Sequence, residues 1–249
     1  MEETLTIYGR KPVEEQLKRE PRRIETIWLK DTAPMGPLQE IQSMASENRI
    51  PVRRVPGRKL ADLVGAVNDQ GVAATLSAVE YSEYEDWIET VDVKTNPIVM
   101  VLDELEDVAN FGAILRTAAA AGIAGVIVPK HRQAPVNAVV YKTSAGTVGM
   151  VPIIRVTNVN LTLRDLKDAG FWVCGLDQSA PQPAWKQDLV SPLVIVVGSE
   201  GDGIRQKTLE LCDFKVKFPM HNEVESLNAS VSAALLCYEA LRQRMNHNI

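Results

Sequence analysis

Residues 97–249 alternate short apolar runs with amphipathic stretches, and this alternation constrains the fold more than any other feature of the sequence. The apolar runs are continuous, as in strands that are buried on both faces of a parallel sheet. They lie at 98–102, 125–128, 151–156, 171–176, 193–197 and 214–218, and helices are expected at 111–121, 134–142, 161–169 and from about 226 to 244. Strands that alternate with helices predict a mostly parallel α/β sheet with helices on both faces.

The first 79 residues predict a smaller α/β unit with the element order α-β-α-β-α-β, in which Pro12 lies in the first turn of the first helix. Residues 80–96 are rich in acidic and aromatic residues and lack strand alternation. We interpret them as a partly helical connector, which Trp87 and Ile88 dock on a neighbouring element. The predicted division is therefore a small domain at 1–79, a linker at 80–96 and a larger domain at 97–249.

The net charge of −5 is divided unevenly along the chain. Residues 1–79 hold 12 Lys and Arg against 11 Asp and Glu, whereas residues 80–249 hold 15 against 21. The basic residues of the first part also come in pairs: Arg10-Lys11, Arg22-Arg23, Arg53-Arg54 and Arg58-Lys59. Such pairs form either a solvated face or a local phosphate-binding patch, and the overall negative charge argues against a simple nucleic-acid coat.

The composition indicates a cytoplasmic protein. No apolar run reaches the roughly 18 residues of a membrane span, and the amino terminus lacks the basic and apolar regions of a signal peptide. The three cysteines, at 174, 212 and 237, have no metal spacing and are expected in the core of a protein in a reducing compartment. The three histidines have no partner at metal or triad spacing, so we predict no metal site.

The first segment that could carry chemistry runs from Asn110 to Arg116. Asn110 is expected just before a helix, where its side chain would cap free backbone N–H groups. Arg116 lies within a run of Ala, Ile and Leu. It either extends from this apolar surface into solvent, or is held over a site to bind phosphate or a developing oxyanion.

The second segment is the turn Gly198–Gly203, which directly follows a buried strand and contains Glu200. Its glycine spacing fits neither the phosphate-binding loop nor the dinucleotide fingerprint. Because ligands of open α/β sheets bind at the carboxyl ends of strands, Glu200 could orient a substrate hydroxyl or anchor Asn110 and Arg116. The alternative is an ordinary turn with solvated acids.

The third segment, Ser226–Ser232, opens the last long helix, with Ser226 or Asn228 as its N-cap. Small residues at 229, 230, 232, 233 and 237 would let this helix approach another backbone or another subunit closely. Taken alone, the same pattern also fits core packing.

Together and in this order, N-x-G-A-x-x-R, V-G-S-E-G-x-G, and F-P-M followed by S-L-N-A-S-V-S-A-A resemble the three signature motifs of the SpoU (TrmH-like) RNA 2′-O-ribose methyltransferases. The resemblance covers about residues 97–244. The start, IYGRKPVEEQL, and the α/β unit after it resemble the L30e-like RNA-binding domain of bacterial members that methylate a guanosine in 23S rRNA.

The resemblance implies a SPOUT-type sheet whose carboxy-terminal segment forms a trefoil knot, S-adenosylmethionine as the cofactor, rRNA as the partner and a homodimer. The cofactor would be held largely by backbone groups of Gly198, Phe218 and Leu227, and the nearby Met220 and Ser226 would complete its binding site. The catalytic residues facing the ribose would be Asn110, Arg116, Glu200 and Asn228. The residues expected to bind RNA are the basic pairs Arg10, Lys11, Arg22, Arg23, Arg53 and Arg54.

Methyl transfer to a ribose hydroxyl requires that the hydroxyl lose its proton. Arginine is effectively always protonated, so Arg116 is expected to act as a cation that lowers the pKa of the hydroxyl, with a role as base left open. The alternatives are a tRNA substrate, a non-catalytic rRNA-binding or ribosome-assembly protein, and a nucleotide-cofactor oxidoreductase. The missing dinucleotide fingerprint disfavours the last of these.

Overall fold

The computed structural model describes residues 5–222, 224 and 226–247 of the chain, and His247 by its backbone alone. The chain divides into two compact units: residues 1–79 with 136–149, and residues 80–135 with 150–249. The predicted division placed all of residues 97–249 in one domain, whereas segment 136–149 is grouped with the first unit. None of the helices in the described part of the chain is long and apolar enough to cross a membrane.

The first unit contains a four-stranded sheet in the order β1-β4-β2-β3, in which only β2 and β3 are parallel. Its elements are β1 (Leu5–Tyr8), α1 (Arg10–Arg19), β2 (Ile24–Lys30), α2 (Gln39–Glu47), β3 (Val52–Val55), α3 (Gly57–Val64) and β4 (Val72–Leu76). The predicted element order was wrong at its start because it omitted β1. Strand β1 is only four residues long, and it pairs with β4, the last strand of the unit in chain order. The sequence around β1 therefore does not indicate a strand.

The second unit is built on a parallel sheet of seven strands in the order β7-β6-β5-β10-β8-β11-β9. These strands are β5 (Ile98–Asp103), β6 (Gly125–Pro129), β7 (Ile153–Val156), β8 (Trp172–Leu176), β9 (Gln182–Pro183), β10 (Leu193–Gly198) and β11 (Phe214–Lys217). Every residue of β5, β6 and β10 is buried, as continuous apolar runs predict. The predicted α/β class is confirmed, and the trefoil knot stays a prediction.

The helices of the second unit are α4 (Tyr84–Glu89), α5 (Val108–Ala121), α7 (Val159–Asp168), α8 (Gln206–Leu209) and α9 (Ala229–His247). The predicted connector contains α4, and Trp87 docks it because the ring is buried and its Nε1 donates to the Ala124 carbonyl at 3.1 Å. Helix α5 packs against α9, and α9 also contacts β10.

Helix α6 (Ala138–Thr143) lies in the segment that packs with the first unit, where it contacts β1. We predicted a helix from 134 to 142, and its start was wrong. Asn137 caps α6 by accepting hydrogen bonds from the amides of Val139 and Val140 at 3.0 and 3.1 Å. Because Pro135 disfavours helical geometry in the residue before it, the helix begins only after this cap.

Candidate active site

Two adjacent central strands, β5 and β10, end side by side, because the parallel register pairs Asp103 with Gly198. The chain after β5 leads into α5, and the chain after β10 forms the glycine-rich turn. Since the carboxyl ends of parallel strands lie at one edge of a sheet, the register brings the first two polar segments of the sequence together.

The glycine-rich turn folds back on itself through two backbone hydrogen bonds of 3.1 Å between Ser199 and Gly203. A Cβ atom on Gly198 would lie 2.0 Å from the carbonyl carbon of Gly203 and 2.2 Å from the Ile204 nitrogen. No side chain fits there, so glycine at 198 is required for the close crossing of two backbone segments. Gly203 has a φ of 67°, which places it in the left-handed region that favours glycine.

Glu200 joins the three polar segments. Its Oε1 atom accepts hydrogen bonds from the Nδ2 atoms of Asn110 and Asn228, the second at 2.6 Å. Among the residues that the structure describes, Glu200 Oε2 has no hydrogen-bond partner. The three side chains therefore form one unit that leaves a carboxylate oxygen able to accept a hydrogen bond from a ligand.

Each of the two asparagines lies at the start of a helix, which fixes its position. Asn228 is the N-cap of α9, because its Oδ1 accepts from the amides of Ser230 and Val231 at 2.9 and 3.3 Å. This arrangement confirms one of the two N-caps predicted for the last helix. With Oδ1 engaged in this way, the Asn228 NH₂ group must point to Glu200, so the helix start fixes the direction of the amide.

The capping role predicted for Asn110 is wrong. Helix α5 begins at Val108, and its N-cap is Asp107, which accepts from the Asn110 amide at 2.6 Å. Asn110 lies inside the first turn and is buried, with its side chain free of the capping role and directed to Glu200. The sequence suggested the wrong N-cap because Asp107 and Asn110 both have a high N-cap propensity. Asp107 lies at the end of an irregular acidic loop, so the start of the helix was placed after it.

An arginine not identified from the sequence anchors the turn from its other side. The buried carboxylate of Asp103 accepts hydrogen bonds from the Arg205 backbone amide at 3.0 Å and from its Nε at 2.9 Å. Arg205 Nη1 lies 2.6 Å from Glu104 Oε1. The hydrogen bond that the Arg205 guanidinium donates to Asp103 is the largest cause that raises the pKa of Arg205, and the negative charges of Asp103 and Glu104 raise it further. This pair ties the end of β5 to the end of the turn.

A cleft of about 590 Å³ opens at the ends of β8, β10 and β11. Of the five residues predicted to hold the cofactor, Gly198, Ser226 and Leu227 line it, and Phe218 and Met220 do not. Phe218 is buried, and its side chain borders a second cleft beside α9. Residues 177–179, which were not predicted as site residues, follow β8 and also line the first cleft. These residues could have been predicted, because they follow a third apolar run, β8, whose carboxyl end lies at the same edge of the sheet as the ends of β5 and β10.

Arg116 lies on α5 and is exposed. It is six positions after Asn110, which turns it by about 240° around a helix of 3.6 residues per turn. Arg116 therefore lies on a different face of α5 from Asn110. Within the described residues it forms no hydrogen bond or ion pair with Glu200 or with any other residue.

The basic pairs predicted to bind RNA are all in the first unit and differ in their surroundings. Arg10, Lys11, Arg22, Arg53 and Arg54 are exposed. Arg23 is half-buried, because its guanidinium donates to the Tyr141 hydroxyl and to the Ser77 carbonyl. Arg23 would have to break these bonds to reach a phosphate, so it is a structural residue in this conformation.

Two protein-family models match most of the chain. The model of the SpoU rRNA Methylase family matches residues 97–238, and the model described as RNA 2′-O ribose methyltransferase substrate binding matches residues 6–82. The 23S rRNA (guanosine-2′-O-)-methyltransferase RlmB of Pseudomonas putida is 41% identical over 241 residues, which is 96% of each chain. RlmB of Vibrio parahaemolyticus is 39% identical over 243 residues, covering 96% of this chain and 97% of the relative.

Solved structures share the fold over nearly the whole chain. The SpoU methyltransferase AviRb from Streptomyces viridochromogenes has a TM-score of 0.80 at 22% identity, covering 98% of this chain and 91% of that one. AviRb has also been crystallised with AdoMet, and that structure has a TM-score of 0.78. An RNA 2′-O ribose methyltransferase structure has a TM-score of 0.76 at 25% identity, covering 97% and 89% of the two chains.

The shared fold and the family matches thus define the class of the protein, an α/β methyltransferase. The chain belongs to the SpoU rRNA methylase family, as its motifs indicated.

Proposed function

We propose that this protein transfers the methyl group of S-adenosylmethionine to the 2′-hydroxyl of a guanosine in 23S rRNA. The names of the two RlmB relatives state this reaction for proteins that match nearly the whole chain. The observation that carries the proposal is the carboxylate of Glu200. One of its oxygens is occupied by the amides of Asn110 and Asn228, and the other is left to accept a hydrogen bond from the sugar hydroxyl.

The cleft at the strand ends fits the cofactor. Its volume of about 590 Å³ falls in the range of small-molecule sites, and the lack of space for a side chain at Gly198 brings bare backbone to its wall. Gly198, Ser226 and Leu227 would hold the cofactor, together with residues 177–179. When bound there, the cofactor supplies a methyl group on a sulfonium centre. The tasks left to the protein are to orient the hydroxyl and to stabilise its loss of a proton.

Arg116 would supply the positive charge for this step. A guanidinium stays protonated, so it favours the alkoxide form of the hydroxyl by charge and can bind a neighbouring phosphate in a bidentate manner. Glu200 and the two asparagines would hold the ribose in place. Binding and orientation of this kind can account for a large part of a transfer rate, because the reacting atoms are already in contact.

Exposed Arg116 and an exposed apolar face on α9 together support a homodimer. Val231, Leu235 and Tyr238 are 45%, 43% and 52% exposed and recur at the spacing of one helix face. Exposed apolar patches of this kind mark interfaces. In such a dimer, Arg116 could contribute to the active site of its own subunit or to the active site of the partner subunit. Leu235→Arg places a charge on this face and should lower the sedimentation coefficient to that of a monomer. The control is Leu161→Arg, which changes an exposed leucine on another helix and should leave the coefficient unchanged.

Mixed dimers separate the two arrangements of Arg116. Subunits carrying Arg116→Ala are mixed with subunits carrying Glu200→Ala, after each variant alone is shown to be inactive. Recovered activity would mean that Arg116 acts across the interface, because only a mixed dimer then holds one complete site. If Arg116 acts within its own subunit, every mixed dimer stays inactive.

We also propose that the first unit holds the RNA substrate and that the protein works in the cytoplasm. The substrate-binding family model matches residues 6–82, and the methylase model matches residues 97–238. These matches support domains at 1–79 and 97–249 joined by the linker 80–96, even though segment 136–149 packs with the first unit.

Incubation with methyl-labelled S-adenosylmethionine and unmodified rRNA tests the proposal. We expect label in 23S rRNA at one guanosine, where the 2′-O-methyl group blocks alkaline cleavage of the adjacent phosphodiester. A tRNA pool is the comparison, because the relative YacO of Bacillus subtilis, 39% identical over 239 residues, has a description that leaves tRNA and rRNA open. Label in tRNA alone would move the substrate to tRNA. Binding of either RNA without any transfer would overturn the enzymatic function.

A further inference from the structure

The sheet of the first unit has one face that its helices cover only in part. Strand side chains alternate between the two faces, so Trp28 lies on the opposite face from its neighbours Ile27 and Leu29. On the Trp28 face, Leu60 of α3 packs with Val55 and Ala73 in a small core. Tyr8 and Trp28 border that core and remain partly exposed.

Beyond α3, this face continues as a polar row. The strand register aligns Thr6 with Thr75 and Thr75 with Thr26, and all three are half-buried. The Trp28 indole Nε1 donates to Thr75 Oγ1 at 2.8 Å, which fixes the ring beside this row. The open part of the face therefore presents an oriented indole next to hydroxyl groups. We call this surface the Trp28 platform, formed by Thr6, Thr26, Trp28, Arg53, Lys59 and Thr75.

Two cations lie over the indole. The Arg53 Cζ atom is 5.6 Å from the ring centroid, and the Lys59 Nζ atom is 5.8 Å from it. Neither forms an ion pair with a carboxylate among the residues that the structure describes. Exposed cation–π contacts are weak, so both charges are available to an anion that approaches the ring.

We propose that the Trp28 platform binds an unpaired nucleotide of the RNA substrate, with its base stacked against Trp28 and its phosphates on Arg53 and Lys59. Proteins read single-stranded RNA by stacking splayed bases on aromatic rings or guanidinium planes. Bases inside a duplex are already stacked on each other and cannot reach the ring. The threonine hydroxyls beside Trp28 can hydrogen-bond to the ribose or the base edge. This inference rests on the proposed function, because it gives the RNA substrate a contact outside the methyl-transfer site.

Fluorescence anisotropy of the full chain tests the proposal, with a fluorescein-labelled single strand of RNA of about ten nucleotides and with its duplex. Trp28→Leu should raise Kd for the single strand roughly tenfold, while the slope of log Kd against log salt stays unchanged. Trp28→Phe should retain most of the affinity. Trp172→Leu, which removes an exposed tryptophan from the second unit, is the matched control and should bind as the wild type does.

Charge variants on the two faces of β3 give a second, independent readout. Arg53 lies on the Trp28 face, and the adjacent Arg54 lies on the other. Arg53→Ala should weaken single-strand binding and reduce the salt slope by about 0.7, as expected for one lost phosphate contact. Arg54→Ala should weaken binding less. Because Arg53 is exposed, this pair of variants remains informative even if Trp28→Leu does not fold.

Three results would overturn the platform: single-strand affinity of folded Trp28→Leu equal to that of wild type, equal losses for single strand and duplex, or equal losses for Arg53→Ala and Arg54→Ala. Methyl transfer is measured on the same preparations. A wild type that methylates rRNA, beside a Trp28→Leu variant with unchanged binding, would reject the platform alone. A wild type that never transfers methyl, beside a Trp28→Leu variant that loses RNA, would reject the proposed function and keep the platform.

Discussion

The Glu200 site and the Trp28 platform differ in how their polar groups are partnered. At the Glu200 site, the side-chain amides of Asn110 and Asn228 donate hydrogen bonds to the Glu200 carboxylate. Both asparagines lie at helix starts, whose hydrogen bonds fix their positions. On the platform, Arg53 and Lys59 rest on an indole ring with no carboxylate partner among the described residues. Fixed groups suit a reaction that depends on position, whereas unpaired cations suit a ligand that brings its own negative charge.

This difference predicts where each kind of substitution acts. Changes at the Glu200 site should lower kcat, because they remove interactions made with the reacting sugar. Changes on the platform should raise the KM for RNA and leave kcat nearly constant, because they remove binding that is the same before and during the reaction. A platform variant that lowers kcat alone would break the comparison.

Arg116→Ala should have the largest effect, lowering kcat for methyl transfer by roughly a thousandfold. In the proposed mechanism, the loss of the guanidinium removes the positive charge that favours the deprotonated hydroxyl. Binding of S-adenosylmethionine, measured by calorimetry, should be unchanged. Loss of cofactor affinity with unchanged turnover would contradict the role given to Arg116. The adjacent position offers a control: Thr117→Ala removes only a hydroxyl that donates to the Ala113 carbonyl at 3.1 Å, and kcat should stay within about twofold.

Glu200→Gln should lower kcat by about a hundredfold. A glutamine oxygen can still accept from Asn110 and Asn228, so the fold of the site is retained. The free acceptor oxygen becomes an NH₂ group, which cannot accept a hydrogen bond from the ribose hydroxyl. Asp202→Asn makes the same change of charge on the same turn and should leave kcat within about twofold. Equal losses in the two variants would mean that only the charge of the turn matters.

Much of the Glu200 site could be predicted from the sequence because continuous apolar runs indicate where the buried strands end. Glu200 lies in the turn after one apolar run, and Asn110 and Arg116 follow another, so a shared sheet edge was foreseeable. The individual bonds were not. Glu200 is separated from Asn110 by 90 positions and from Asn228 by 28, and capping propensity assigned Asn110 the wrong role. Local preference cannot resolve which of two good caps a helix uses.

Residue patterns predicted the Trp28 platform only in part, because the basic pairs included Arg53 and Lys59 but nothing in the sequence joined them to Trp28 or to the three threonines. Its members come from β1, β2, β3, β4 and α3, and they meet only because the sheet order is β1-β4-β2-β3. Strand β1 was not predicted, so the row of threonines that begins at Thr6 was not predicted either. Arg53 and Arg54 also looked equivalent in sequence, because the face that each residue occupies depends on the register with Trp28 and Leu29.

Gly198→Ala should impair the site through its backbone. The new Cβ would lie 2.0 Å from the Gly203 carbonyl carbon, so the turn must move, at a cost of at least about 1–3 kcal/mol. We expect a lower Tm, weaker binding of S-adenosylmethionine and a displaced Glu200. Gly201→Ala is the matched control, because its Cβ would meet no atom within 4 Å. Equal effects of the two substitutions would show that flexibility, and not the close crossing, is what the glycines provide.

The smallest expected effect concerns Cys237, which is buried in α9, the helix that Asn228 caps. Burial raises the pKa of its thiol to about 12. In the unfolded chain the thiol loses its proton near pH 8.5, while the folded chain retains it, so above that pH the unfolded state binds fewer protons. This thiol therefore lowers the free energy of unfolding as pH rises from about 8.5 towards 12.

Thermal melts of wild type and Cys237→Ala at about pH 7 and pH 9.5 measure this contribution. Cys237→Ala lacks the titrating thiol, so its deficit in Tm relative to wild type should shrink at the higher pH. All other titrating groups are common to both proteins and cancel in the difference. A deficit that stays constant with pH would mean that the thiol ionises in the folded protein. The packing of α9 around Cys237 would then be looser than its burial indicates.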